Sequence, residues 1–392
     1  MRTIVRMCLC VALAVLPALS GALGAPAPSP AIVYVPTEYH TGGAYTAIQA
    51  SGDGRVYLGT TIYEGFAHLL AFTPASGRFE SLAEMASATG ERSPGPYAQA
   101  KIHTKPAIAP DGRVFFGTKS GKTARDPRWQ ENYPGGHLLV HDPRTGTTTD
   151  LGIIKPKVSI IAVGVDPSRG LVYALTDPDS HLVTYDPRTR QFVDRGQFGP
   201  PGEDPSRYLV VLANGDAFHR WNTTSISHYA AASGTIERLP LTLTGGGNFE
   251  PPYAVATAPD GRRFLGVGNR SGQVYVFEPR EREVGVRMLG AAVPDGGSAP
   301  GSHYTMTAAP DGAVYYTGHG GLELSILRVP PEFSGPQVVG RVPPLGPPPA
   351  GYSRQVARQL IVQGSTATPD GTLIVMTAYP LRLLLFRGLA AR

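Results

Sequence analysis

From residue 31 onward, short β-rich apolar runs are cut at regular intervals by proline, aspartate and glycine. Runs such as Val56-Tyr57-Leu58 and Val114-Phe115-Phe116 each follow a tight-turn phrase. The phrase stands at Gly52-Asp53-Gly54, Pro110-Asp111-Gly112, Pro167-Ser168-Arg169-Gly170, Asn214-Gly215, Pro259-Asp260-Gly261, Pro310-Asp311-Gly312 and Pro369-Asp370-Gly371. Its glycines are separated by 58, 58, 45, 46, 51 and 59 residues. Such a period belongs to a repeated β-unit, not to a helical domain.

The second half of each repeat is nearly as regular. His68-Leu69-Leu70-Ala71-Phe72-Thr73-Pro74 is echoed by His137-Leu138-Leu139-Val140-His141-Asp142-Pro143, by His181–Pro187 and by Gln273–Pro279. Each closes in a turn such as Pro143-Arg144-Thr145-Gly146 and a further short strand. A repeat therefore reads as strands A and B joined by the Asp-Gly turn, a variable loop, then strands C and D. Four antiparallel strands in seven repeats predict an all-β fold, a seven-bladed β-propeller. The last repeat stops after the strand at Leu381–Phe386, and Ala31–Val35 is expected to supply its missing fourth strand, closing an open sheet edge.

This topology sorts the loops. The A–B and C–D turns are short and share one face. The B–C and D–A connections include the long stretches 82–100, 119–135, 197–206, 289–301 and 342–357, and share the other. Irregular loops gathered on one face of a rigid scaffold are where binding and catalysis are expected.

Composition narrows the picture. Glycine (48) and proline (38) are both abundant in the 392 residues, as many tight turns require. Arg2 and Arg6 precede an apolar run, Met7–Leu19, and then small residues up to Gly24. Residues 1–24 thus read as a secretory signal peptide, leaving 25–392 as one propeller domain. The run is too short to span a membrane. Cys8 and Cys10 both fall within it, so the mature chain has no thiol or disulfide chemistry. A secreted or periplasmic monomer is expected. The net charge of +5, two of it in the leader, is too small to imply nucleic-acid binding.

Aligning the repeats separates recurrent residues from singular ones. His68, His137, His181 and His228 recur near the start of strand C and read as structural, with hydrogen bonds between blades expected. His103 and His303 instead occupy the start of strand A in the second and sixth repeats, the innermost strand at the long-loop face. They are expected to look into the channel mouth with Tyr45, Arg207 and Tyr304 close by. Lys101, Lys105, Arg128 and Trp129 lie around the second repeat and Arg220 and Trp221 in the fourth. Aromatic rings stack on sugar faces and Lys or Arg pairs with carboxylates, so these six are candidate substrate-binding residues.

These residue types suit β-elimination on a uronic acid. A base removes the proton α to the carboxylate, a cation stabilises the resulting charge, and an acid protonates the leaving oxygen. His103, His303, Tyr45, Tyr304 and Arg207 are the candidate catalytic set, whereas the two carboxylates that hydrolysis requires lack convincing candidates. The phrases Lys101-Ile102-His103-Thr104-Lys105-Pro106 and Tyr133-Pro134-Gly135-Gly136-His137-Leu138-Leu139 resemble those of secreted seven-bladed polysaccharide lyases acting on ulvan or rhamnose-glucuronate chains. That resemblance implies an acidic polysaccharide or oligosaccharide as substrate and histidine, tyrosine and arginine at the channel mouth. No cofactor motif is present. His137 and His141 lie roughly 13 Å apart along a strand, too far for one ion. A cation between His103 and His303 is the one metal site the pattern allows. The alternative to catalysis is a propeller that binds a glycan or an exported protein through the same face.

Overall fold

The computed structural model describes residues 29–41, 43–200, 207–245, 249–268, 271–291, 305–320, 323–352 and 360–390. Residues 1–24, with both cysteines, and His303 and Tyr304 lie outside them.

The turn chemistry acts as the sequence requires. Gly112 has φ +87°, a left-handed conformation open to glycine at little steric cost, and the other six ruler glycines have φ between +65° and +87°. The residue before the glycine locks the turn. Asp111 Oδ1 accepts the Arg113 backbone N–H at 3.1 Å, and Asp53, Asp260, Asp311 and Asp370 do the same for the residue two positions on.

Among the described residues the strands form five separate four-stranded sheets and one of eight. The eight-stranded sheet is two meanders joined at their outermost strands, where Leu241–Thr244 run parallel to Val284–Arg287. Seven four-stranded meanders result. The last is completed by Ala31–Tyr34, which pairs antiparallel with Arg382–Phe386, as expected from the truncated final repeat.

Apolar side chains gather in seven clusters, each between two neighbouring sheets. One joins Ile48, Leu58 and Phe72 of the first sheet to Ile374, Met376 and Leu383 of the last. Another joins Leu69 and Met85 to Ile102 and Phe116. The remaining five continue the sequence around the ring. Hydrophobic stabilisation is therefore spread over the contacts between blades. The first strands of successive meanders contact one another around the axis, so strand A is innermost.

Close packing between blades explains two glycines in the second strands. A Cβ on Gly59 would stand 2.3 Å from Ile102 Cγ2, and one on Gly117 would stand 2.5 Å from Ile160 Cγ2. Each glycine admits an isoleucine of the following blade.

Candidate functional site

Lys101 and Ile102 are tied both to the first blade and to their own second blade. Ile102 donates its backbone N–H to Thr60 O at 3.0 Å, while Lys101 and Lys119 exchange backbone hydrogen bonds of 2.9 and 2.8 Å. His103 follows at once, and its carbonyl accepts the Thr46 hydroxyl at 2.7 Å. These contacts hold Lys101 and His103 at the end of the ring where the B–C loops begin.

A repeated threonine sets the other side of the site. Thr60, Thr118 and Thr176 close the second strand of the first three blades. Each hydroxyl accepts the backbone N–H of the histidine that opens the third strand, at 2.9, 2.8 and 2.8 Å. The next residues are Thr61, Lys119 and Asp177. Lys119 donates to Asp177 across the blade boundary, and both side chains are about nine-tenths buried.

Tyr45 enters from the first blade with a positive φ of +51°, a conformation that costs a non-glycine residue on the order of 1–3 kcal/mol. It is held there by Gln363 of the last blade, whose Oε1 accepts the backbone N–H groups of Ala44 and Tyr45 at 2.7 and 2.9 Å. The Tyr45 ring lies 3.8 Å from the His103 ring, and Arg207 stacks on it with Cζ 4.5 Å from its centroid. The Tyr45 hydroxyl is 2.7 Å from that of Tyr63, whose ring sits under the Lys101 ammonium at 4.8 Å.

The electrostatics follow from burial and like charge. Lys101 is 4 % exposed, and desolvation, then Lys119 and Arg207, bring its amine down to about 7. His103 is 2 % exposed and is held well below the ordinary histidine range by burial and then by Arg207, Lys101 and Lys119. Both of its ring nitrogens lack a hydrogen-bonding partner. Burial, then its bond to Tyr45, pushes the Tyr63 phenol up. Among the described residues Asp177 is the carboxylate that acts on Lys119 and Lys101. The cation expected between His103 and His303 goes untested, since His303 lies outside the described residues. Among the described residues no group of three His, Cys, Asp or Glu side chains gathers as a metal would need.

The structure thus brings together Tyr45, Lys101, His103 and Arg207 from the expected set. Lys105 lies further in, among residues lining a cavity in the ring. Four other candidates are elsewhere. Arg128 is exposed and 3.8 Å from Asp126. Trp129 is 1 % exposed, donates to Ser120 Oγ at 2.7 Å and packs on Tyr133, so it anchors its loop and offers no ring face to a sugar. Arg220 ends its strand half-buried beside Trp221. The Trp221 ring is covered by Arg238 from the outermost strand of the same blade, 3.5 Å from its centroid. Three of the recurrent histidines do open their third strands, and each bonds the last strand of its own blade, while His181 also meets Lys155 Nζ, from the connection out of the second blade, at 3.1 Å. His68 meets Ser81, His137 meets Asp150 and His181 meets Asp194, at 3.1, 2.8 and 2.9 Å. His228 is the fourth residue of its strand and bonds Glu237 at 2.8 Å.

Sequence reasoning missed Asp177, Tyr63 and Gln363. A signal for Asp177 existed in the threonine that recurs in Gly59-Thr60-Thr61, Gly117-Thr118-Lys119 and Leu175-Thr176-Asp177. Gln363 and Tyr63 carry no repeat signature.

No protein-family profile and no curated protein matches the chain. Solved structures do. The WD40 repeats of RRP9 superpose with a TM-score of 0.60 at 10% identity, covering 92% of this chain and 100% of theirs. The chain is a β-propeller. The propeller domain of Cps50 (Swd1) from Myceliophteria thermophila gives a TM-score of 0.57 at 10% identity over 88% of this chain and 97% of that one. The extracellular domain of a one-component system, BT4673 from B. thetaiotaomicron, gives 0.55 at 10% identity over 92% of this propeller and 40% of that chain. At such identities the likeness shows the fold alone. Among the described residues of the propeller, no helix is long and apolar enough to cross a membrane.

Proposed function

We propose that this propeller is a secreted carbohydrate-active protein that engages a uronate-containing glycan at the His103 cluster and cleaves it by β-elimination. The observation that carries the reading is a cluster that, among the described residues, holds three cations, one carboxylate and a neutral, unpartnered imidazole. Because Asp177 neutralises Lys119, Arg207 is the group to pair with a substrate carboxylate and stabilise the charge that develops on it. Lys101, brought near neutrality, is better matched than His103 to take a proton at pH 7. His103 stays neutral and orients substrate hydroxyls through its two free nitrogens. The Tyr45 hydroxyl, already paired with Tyr63, is the proton donor to the leaving oxygen.

The depth of the cluster supports a second reading. With Lys101 and His103 both under 5 % exposed, a carboxylate-bearing group can be recognised without the two sugar rings around the reacting carbon fitting in. The propeller would then bind an acidic glycan and turn nothing over. Incubation with a panel of uronate polysaccharides, watched for ultraviolet-absorbing unsaturated uronate, separates the two. Catalysis predicts product that disappears in Lys101→Met and persists in His137→Ala. Saturable binding with no product across the panel moves the protein to the binding reading.

A further inference from the structure

Below the mouth, a cavity of about 150 Å³ lies within the ring formed by the innermost strands. Residues from all seven blades line it, among them Thr46, Lys105, Ala162, Tyr253, Thr305 and Ser365, with Arg207 at its edge. Its charge is one-sided. Two cations, Lys105 and Arg207, meet hydroxyl groups, and among the described lining residues there is no carboxylate. Lys105 sits on the innermost strand's approach, two residues past His103, and its ammonium makes no ion pair or hydrogen bond among the described residues.

We propose that this cavity is a binding site for a small oxyanion, a carboxylate or a phosphate, held by Lys105 and by Arg207, the one residue it shares with the glycan cluster above it. Lys105 is half-buried in the ring, where its ammonium is poorly hydrated, and an anion beside it offsets that cost. The Lys105 amine is brought down to about 8 by burial alone, as expected for a cation whose partner is a diffusible ligand. Size limits the occupant. A cavity of roughly 150 Å³ accommodates a molecule about as large as benzene, so a single small anion with its water fits and a sugar chain does not. The hydroxyls complete the shell as neutral donors. The Thr305 hydroxyl already donates to Ser365 Oγ, linking the sixth and seventh blades across the site. An anion here ties strands of several blades to one charge and stabilises the closed ring.

The test is thermal unfolding of the mature protein in inorganic phosphate, in acetate and in glucuronate, each against potassium chloride at matched ionic strength. The expected result is a saturable rise in Tm with phosphate or a carboxylate but not with chloride. That rise is lost in Lys105→Gln, kept in Lys105→Arg and kept in His103→Ala. The phosphate and carboxylate arms tell which source supplies the anion. Persistence in His103→Ala separates this site from the glycan cluster, so either reading can fail alone. If Lys105→Gln does not fold, the wild-type titrations and Lys105→Arg still decide. An equal rise in chloride, no rise in any anion, or a rise unchanged in folded Lys105→Gln overturns the proposal.

Discussion

Asp177→Asn removes the carboxylate that, among the described residues, acts on Lys119 and Lys101, at nearly constant volume. The Lys119–Asp177 pair crosses from the second blade to the third with side chains only 9 % and 11 % exposed, so water screens neither charge. Breaking a buried pair from one side costs about 3–5 kcal/mol, because the surviving charge keeps its desolvation penalty and loses its partner. The upper part of that range applies, since Lys101 and Arg207 add repulsion that Asp177 now offsets. With an unfolding entropy of about 2.1 cal/mol/K per residue, a loss of about 4 kcal/mol lowers Tm by about 5 °C in a chain of this length. Differential scanning calorimetry at pH 7 measures it. Lys119→Met together with Asp177→Asn recovers most of the loss, because the stranded ammonium is gone. A single mutant within 1 °C of wild type, or a double mutant no better than the single, would refute the buried-pair argument.

Other predictions test separate parts of the account. Lys101 is brought down to about 7 in the folded state against about 10.4 unfolded, so the unfolded chain binds more protons between those values. Stability therefore rises with pH across that window, by up to about 1.4 kcal/mol per unit, and Lys101→Met flattens the rise in denaturant titrations at pH 7, 8 and 9. Fully buried His219, desolvated and brought to about 4, acts with the same sign in a lower window, and stability falls as pH drops from about 6.5 towards 4. His219→Phe weakens the acid sensitivity of Tm between pH 6.5 and 4. Gly59→Ala drives a methyl into Ile102, next to His103, and costs about 1–3 kcal/mol by overpacking; a Tm equal to wild type contradicts that contact. Removing the strand Ala31–Tyr34 exposes the strand Arg382–Phe386 and promotes association by edge pairing, measurable by light scattering.

The fold was legible because each repeat carries the same local constraint. A turn with Asp and a glycine at positive φ must look alike in every blade, so the period shows in one sequence. Closure by Ala31–Tyr34 was readable for the same reason, as one strand was missing from the count. The site was legible only where it broke the repeat. His103 stood out because most other blades place no histidine at its position, and the geometry sets it against Tyr45 and near Arg207. Gln363 was not legible, since its role rests on a contact with a blade distant in sequence, and Tyr63 was not, since it meets Tyr45 from a loop that does not recur. The tryptophans misled because a loop's anchor and a sugar platform have the same residue type. Burial alone tells Trp129 from a platform, and burial is a property of the packed loop.

The central claim is that the cluster of Lys101, His103 and Arg207 recognises the carboxylate of an acidic sugar. Calorimetric titration with a uronate oligosaccharide and with its carboxyl-reduced, neutral counterpart tests it most directly. The account predicts saturable binding of the acidic form by the wild-type protein. It also predicts a loss of at least about tenfold on carboxyl reduction or in Arg207→Met, the effect of removing one charge-assisted hydrogen bond of about 1.5–3 kcal/mol. Equal affinity for the acidic and neutral oligosaccharides, or binding unchanged in Arg207→Met, would contradict it.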